Sequence, residues 1–175
     1  MIVKLEIIPR AFSDKYAERV YQNGEEWNPL SCTCVKFTNH DHSEWCGKFG
    51  GFAKRVLLSQ AKNMALVLTS DHLFQLELNT GNLTDIEDEP QYQNLAIAPN
   101  GDVILADYYN FQKFSSSINT KTPIESPIRM DNIDFKKWDG SKLEFTCEEI
   151  LCWDRHLTMT YDSETNKIEI KDTPS

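Results

Sequence analysis

A recurrence of short apolar runs at a spacing near 40 residues constrains this chain more than any motif does. Leu57, Leu95 and Ile133 stand 38 residues apart, and Leu66 meets Ile104 at the same offset. Asn100-Gly101 meets Asp139-Gly140 one residue later. Side chains on a strand alternate between two faces, and Leu73-Phe74-Gln75-Leu76-Glu77-Leu78 alternates cleanly. Arg55–Ser59, Met64–Thr69, Leu95–Ala98, Val103–Ala106, Phe111–Ser115 and Leu143–Thr146 are further short runs with strand character. Between them lie turn formers: Asn79-Thr80-Gly81-Asn82, Pro99-Asn100-Gly101-Asp102 and Trp138-Asp139-Gly140-Ser141. A last hairpin is expected between Leu157–Tyr161 and Lys167–Ile170, across Asp162–Asn166.

A period near 40 built from short strands is the sequence sign of propeller blades. The segments MALVLTSDHLFQLELNTGNL and LAIAPNGDVILADYYNFQKFS resemble such blades, over residues 53–115 and more faintly to 161. Trp153-Asp154 has the letters that end blades in one repeat family, but it falls outside the register. Three units are too few for a closed ring, which usually has at least four blades. The expected fold is therefore mainly β. It is an antiparallel meander of propeller-like blades, or an open barrel or sandwich, with one N-terminal helix. At 175 residues the chain suits a single domain, 1–175, with an N-terminal strand and helix over 1–28 and the meander over 29–175.

The N-terminal strand is read from Val3, Leu5 and Ile7 on one face, ended by Pro9. The helix is read from Ser13 as N-cap, Asp14 at the positive end of the dipole, Tyr16, Val20 and Tyr21 as an apolar side, and Gly24 at C′. Phe12 would staple onto Ala17.

The segment CTCVKFTNHDHSEWC holds Cys32, Cys34, His40, His42 and Cys46. It could be a metal site or a hairpin. If Thr38 and Ser43 close a hairpin around Asn39–His42, Cys46 falls on the face opposite Cys32 and Cys34. A register shift of one residue would bring it to their face. His40 stands six residues beyond Cys34, about 20 Å along an extended strand, whereas zinc ligands lie about 2.0–2.3 Å from the metal. The spacing also matches no usual zinc pattern. The segment is read as a hairpin whose cysteines pack as small hydrophobes, and no metal or cofactor is expected.

Signatures of catalysis are missing: there is no nucleophile elbow, dinucleotide loop, phosphate loop or zinc-protease helix. Gly47-Lys48-Phe49-Gly50-Gly51 is read as a turn or tight crossing. Asp162–Asn166 begins like a calcium loop, but Lys167 takes the place of its glycine and Thr173 that of its glutamate. Cys147 and Cys152 flank two glutamates, with only Arg155 near to favour a thiolate. The chain is accordingly not expected to be an enzyme.

Lysine and arginine number 18 against 27 aspartate and glutamate, for a net charge of −9. That charge disfavours nucleic acid and anionic membranes and favours a basic protein partner. Met1–Ile7 alternates charge and apolarity, unlike a signal peptide, and the five cysteines form no disulfide framework; a cytoplasmic protein with reduced thiols is expected. Two features could meet a partner. Asp85, Glu87, Asp88 and Glu89 form an acidic loop before Pro90, and Tyr108-Tyr109 falls between two strands as exposable aromatic anchors. Both lie in successive connections and could share one end of the meander.

A small acidic cytoplasmic β-protein of this kind resembles, in general character, bacterial immunity proteins of the contact-dependent growth inhibition type. That resemblance implies binding and blocking of a basic, nuclease-type toxin, with Asp85, Glu87, Asp88 and Glu89 steering association and Tyr108 or Tyr109 anchoring it. Two alternatives stand beside it. One is a small-molecule-binding or hydrolytic β-protein with a pocket near Asp154 and His156, aided by Glu149. The other is a propeller-like scaffold that self-assembles; monomer and homodimer are both open.

Overall fold

The strand signals assemble into four separate four-stranded sheets. The structure is a computed structural model and describes residues 1–9, 15–22 and 31–171, with only the backbone of Trp153 and Asp154. The strands are β1 (Ile2–Ile8), β2 (Ala17–Tyr21), β3 (Cys32–Asn39), β4 (Glu44–Gly50), β5 (Ala53–Ser59), β6 (Met64–Thr69), β7 (His72–Glu77) and β8 (Leu83–Asp88). They continue with β9 (Asn94–Ile97), β10 (Val103–Ala106), β11 (Phe111–Phe114), β12 (Thr122–Ile124), β13 (Met130–Asp139), β14 (Lys142–Glu149), β15 (Cys152–Asp162) and β16 (Lys167–Ile170). Strands β5 to β8, β9 to β12 and β13 to β16 each form an antiparallel meander in chain order. None of the sheets closes into a barrel among the described residues. The first sheet runs β1-β3-β4-β2, and β2 pairs with β4 in parallel.

Two compact units contain these sheets: Met1–Pro90 with Ser117–Asn119, and Gln91–Ser116 with Thr120–Ser175. In the first unit the core gathers Val35, Phe37, Trp45 and Phe49 from the first sheet with Val67, Phe74 and Leu76 from the second. In the second unit Ile104 and Phe111 pack with Phe145, Met159 and Tyr161. Each unit thus packs apolar side chains from two sheets together, with β6 and β10 buried on both faces, and that apolar burial is the main source of its stability.

The expected N-terminal helix is not formed. Residues Ala17–Tyr21 are strand β2, and no α-helix occurs among the described residues. The apolar spacing read as one helix side fits a strand as well, because Val20 and Tyr21 favour the pleated backbone. Pairing with β4 decides it: Tyr21 lies opposite Phe49 and is buried, while Val20 points outward and is 51% exposed. Phe12, Ser13, Asp14 and Gly24, the expected staple and caps, lie outside the described residues.

The β3–β4 hairpin takes the alternative register. Thr38 pairs with Glu44, the Asn39 amide donates to the Ser43 carbonyl at 2.9 Å, and His42 sits at φ +65°. A left-handed residue lets three residues, not four, turn the chain. Cys46 then lies opposite Lys36 and Cys34 opposite Lys48, so both thiols share one face. The expected placement of Cys46 on the opposite face is corrected accordingly. Gly47 to Gly50 is strand rather than a turn; a Cβ on Gly47 would meet the Phe49 ring at 2.7 Å and the Phe37 ring at 2.8 Å, so the glycine makes room for both rings.

Candidate functional site

The β10–β11 connection is a tight turn that displays two aromatic rings. Asp107 Oδ1 accepts the amides of Tyr109 and Asn110, each at 2.7 Å, and the Asp107 amide donates to the Asn110 carbonyl at 3.2 Å. An aspartate that mimics a backbone turn in this way fixes the loop without burying it. Tyr108 and Tyr109 are 49% and 53% exposed, with ring centroids 6.2 Å apart and tilted by 52°. Rigid, amphipathic rings on an ordered turn lose little entropy on docking, which is what a binding anchor requires.

Tyr109 also lines a cleft of about 540 Å³ in the second unit. Phe111, Ile124 and Met130, all buried, form its floor, while the exposed Glu125 and Arg129 stand at its rim. Neither charge was singled out in the sequence. The connection Glu125-Ser126-Pro127-Ile128-Arg129 carries no motif, and only the packing of β11 and β13 turns it into one wall of a cleft.

The acidic segment is not a loop. Leu83–Asp88 is β8, the edge strand of its sheet, and it splits the carboxylates by parity. Ile86 lies opposite Phe74 and joins the core of the first unit; Asp88, on the same face, lies 3.4 Å from His72 Nε2. Asp85 and Glu87 point to the other face, where Asp85 accepts a hydrogen bond from Asn119 at 2.7 Å. Glu89 follows the strand at φ +49°, its amide donating to the Asp71 carbonyl at 2.8 Å. Charged residues are tolerated here because an edge strand has a neighbour on one side only, and they discourage pairing with another edge. The acidic strand belongs to the first unit and the tyrosines to the second.

The residues of the expected hydrolytic pocket have separate partners. His156 Nδ1 lies 3.4 Å from Glu148, with its side chain 73% exposed, while Glu149 binds Arg155 at 2.5 Å. The side chain of Asp154 lies outside the described residues. His156 lines a shallow hollow of about 280 Å³ with Glu148 and Cys147. Burial, followed by the charges of Glu149 and Glu148, pushes the Cys147 thiol up to about 11. Burial and the neighbouring Cys34 push the Cys46 thiol up to about 12. Both favour the neutral thiol, the form that neither attacks nor ligates. Among the described residues no three His, Cys, Asp or Glu side chains are placed to hold one metal ion. Nor is any described helix long and apolar enough to cross a membrane.

No protein-family model matches the chain, and no curated protein sequence matches it. Among solved structures it is similar to a candidate exported protein from Bacteroides fragilis NCTC 9343, at 7% identity and a TM-score of 0.30, over 96% of this chain and 75% of that one.

Proposed function

We propose that this chain is a cytoplasmic protein-binding module for a basic partner, acting as an immunity-type inhibitor that covers the active site of a nuclease-type toxin. The observation that carries the reading is the pair of half-exposed tyrosines held on the Asp107 turn. Tyrosine is enriched among interface residues that contribute most to affinity. The net charge of −9 supports steering toward a cationic surface, and Asp88 and Glu89 are the exposed members of the acidic run. We read the three meanders as propeller-like blades, of which β9 to β12 carries the tyrosine turn.

The test is affinity capture from the source organism at low and high salt, with the native chain and with a Tyr108→Ala/Tyr109→Ala double variant. Recovery of one basic protein by the native chain, weakened by salt and lost with the variant, supports the reading. Equal recovery by both chains, or recovery of no basic protein, overturns it.

A further inference from the structure

We infer that the cleft beside Tyr109 is a binding site for a short zwitterionic peptide with an apolar body. This goes beyond the docking role of the tyrosine pair and shares only Tyr109 with it. Three features converge. The half-buried Ile128 and Ile150, set over the buried Phe111, Ile124 and Met130, give the cleft an apolar contact surface that water solvates poorly. At about 540 Å³ the cleft has the capacity of a small-ligand site and exceeds a single side chain. Finally, Glu125 and Arg129 stand on the same wall, and neither side chain has an ion pair or hydrogen bond among the described residues.

That last feature selects the ligand class. A purely anionic ligand that meets Arg129 is repelled by Glu125, and a purely cationic one by Arg129. A ligand carrying one charge of each sign, separated by an apolar body, satisfies both. Arg129 offers a planar guanidinium suited to a carboxylate, and Glu125 accepts from an ammonium. A short peptide with free termini and an apolar side chain has this layout. Tyr109, held by the Asp107 turn at the edge of the cleft, would contact that side chain.

The experiment is a calorimetric titration of the full chain with alanyl-phenylalanyl-alanine, in free, N-acetylated and C-amidated forms. The expected result is saturable binding of the free peptide, weakened by about tenfold on capping either end, as for loss of one charge-assisted hydrogen bond. Arg129→Gln should abolish the sensitivity to C-terminal capping alone, and Glu125→Gln the sensitivity to N-terminal capping alone. Both residues are exposed, so the variants are expected to fold, and the capping series on the native chain tests the proposal without them. No saturable binding of the free peptide overturns the inference. So does binding that capping leaves unchanged, or an adherence that follows apolarity alone. Because the titration needs no protein partner, its failure and the failure of the capture experiment are separate results.

Discussion

The Tyr21 hydroxyl donates to the Gly81 carbonyl at 2.6 Å, across 60 residues of chain, and ties β2 to the β7–β8 turn. Arg19 donates to the adjacent Thr80 carbonyl at 2.7 Å while its guanidinium lies 4.5 Å from the Trp45 ring centre. Gly81 itself sits at φ +70°, and a Cβ there would meet Trp45 at 2.8 Å. Tyr21→Phe should therefore cost about 1 kcal/mol, the net worth of a hydrogen bond. Gly81→Ala should cost more, through strain and the clash together. Urea unfolding measures both; equal or reversed costs would contradict this account of the turn.

Asn94 connects two sheets of the second unit. Its amide nitrogen donates to the Ile133 carbonyl at 2.7 Å and its oxygen accepts the Phe135 amide at 3.1 Å, so a side chain stands in for a strand partner of β13. The residue is 7% exposed. Asn94→Ala leaves both backbone groups without that partner and should destabilise by about 2–3 kcal/mol. Asn94→Asp keeps the acceptor but loses the donor, and should also unfold at lower urea than the native chain.

Acid should destabilise the chain through specific carboxylates. Hydrogen bonds from Lys36 and Lys4 hold Glu6 below the usual glutamate value, Lys171 does so for Glu144, and the Glu164 amide does so for Asp162. A carboxylate whose folded value is lowered contributes stability that is fully present above the unfolded value, about 4 to 4.5. That contribution is lost as pH falls through the lower folded value. The urea midpoint should hold between pH 7 and 5 and drop below pH 4.5, and Glu144→Gln should flatten part of that drop.

Thiol modification should follow burial. Cys152 is exposed, while Cys34, Cys46 and Cys147 are buried, the last two with raised values that keep them neutral. Iodoacetamide at pH 8 should label Cys152 first, and Cys34, Cys46 and Cys147 only on unfolding. Mass spectrometry of the labelled peptides decides this; early labelling of Cys46 would contradict the packing of that face.

Exposed anchors should separate binding from stability. Tyr108→Ala and Tyr109→Ala should each shift unfolding by under about 0.5 kcal/mol, since neither ring supports a core. A loss of several kcal/mol on either substitution would show that the rings are structural.

Much of the architecture was legible locally. The recurrence of Leu57, Leu95 and Ile133 falls on β5, β9 and β13, the first strands of the three meanders. The Asn100-Gly101 turn forms as expected, with the Gly101 amide donating to the Ala98 carbonyl at 2.8 Å. Tyr108 and Tyr109 are about half exposed, a placement that their position between two strands left open. Glu125 and Arg129 are not legible in the sequence, because a cleft wall leaves no period in the chain that builds it.

What the sequence determined by itself is the set of interactions that act over a few residues: alternation of side chains, turn chemistry, and the approximate repeat of strand lengths. What only the tertiary structure decided depends on partners distant in the chain. Ala17–Tyr21 became a strand because β4 offered it a free edge, and Asp85–Asp88 became one because β7 did. A single left-handed residue, His42, set the register that brought Cys34 and Cys46 to one face. Such choices turn on pairing and packing energies larger than local propensity, so they are made when the sheets assemble and not before.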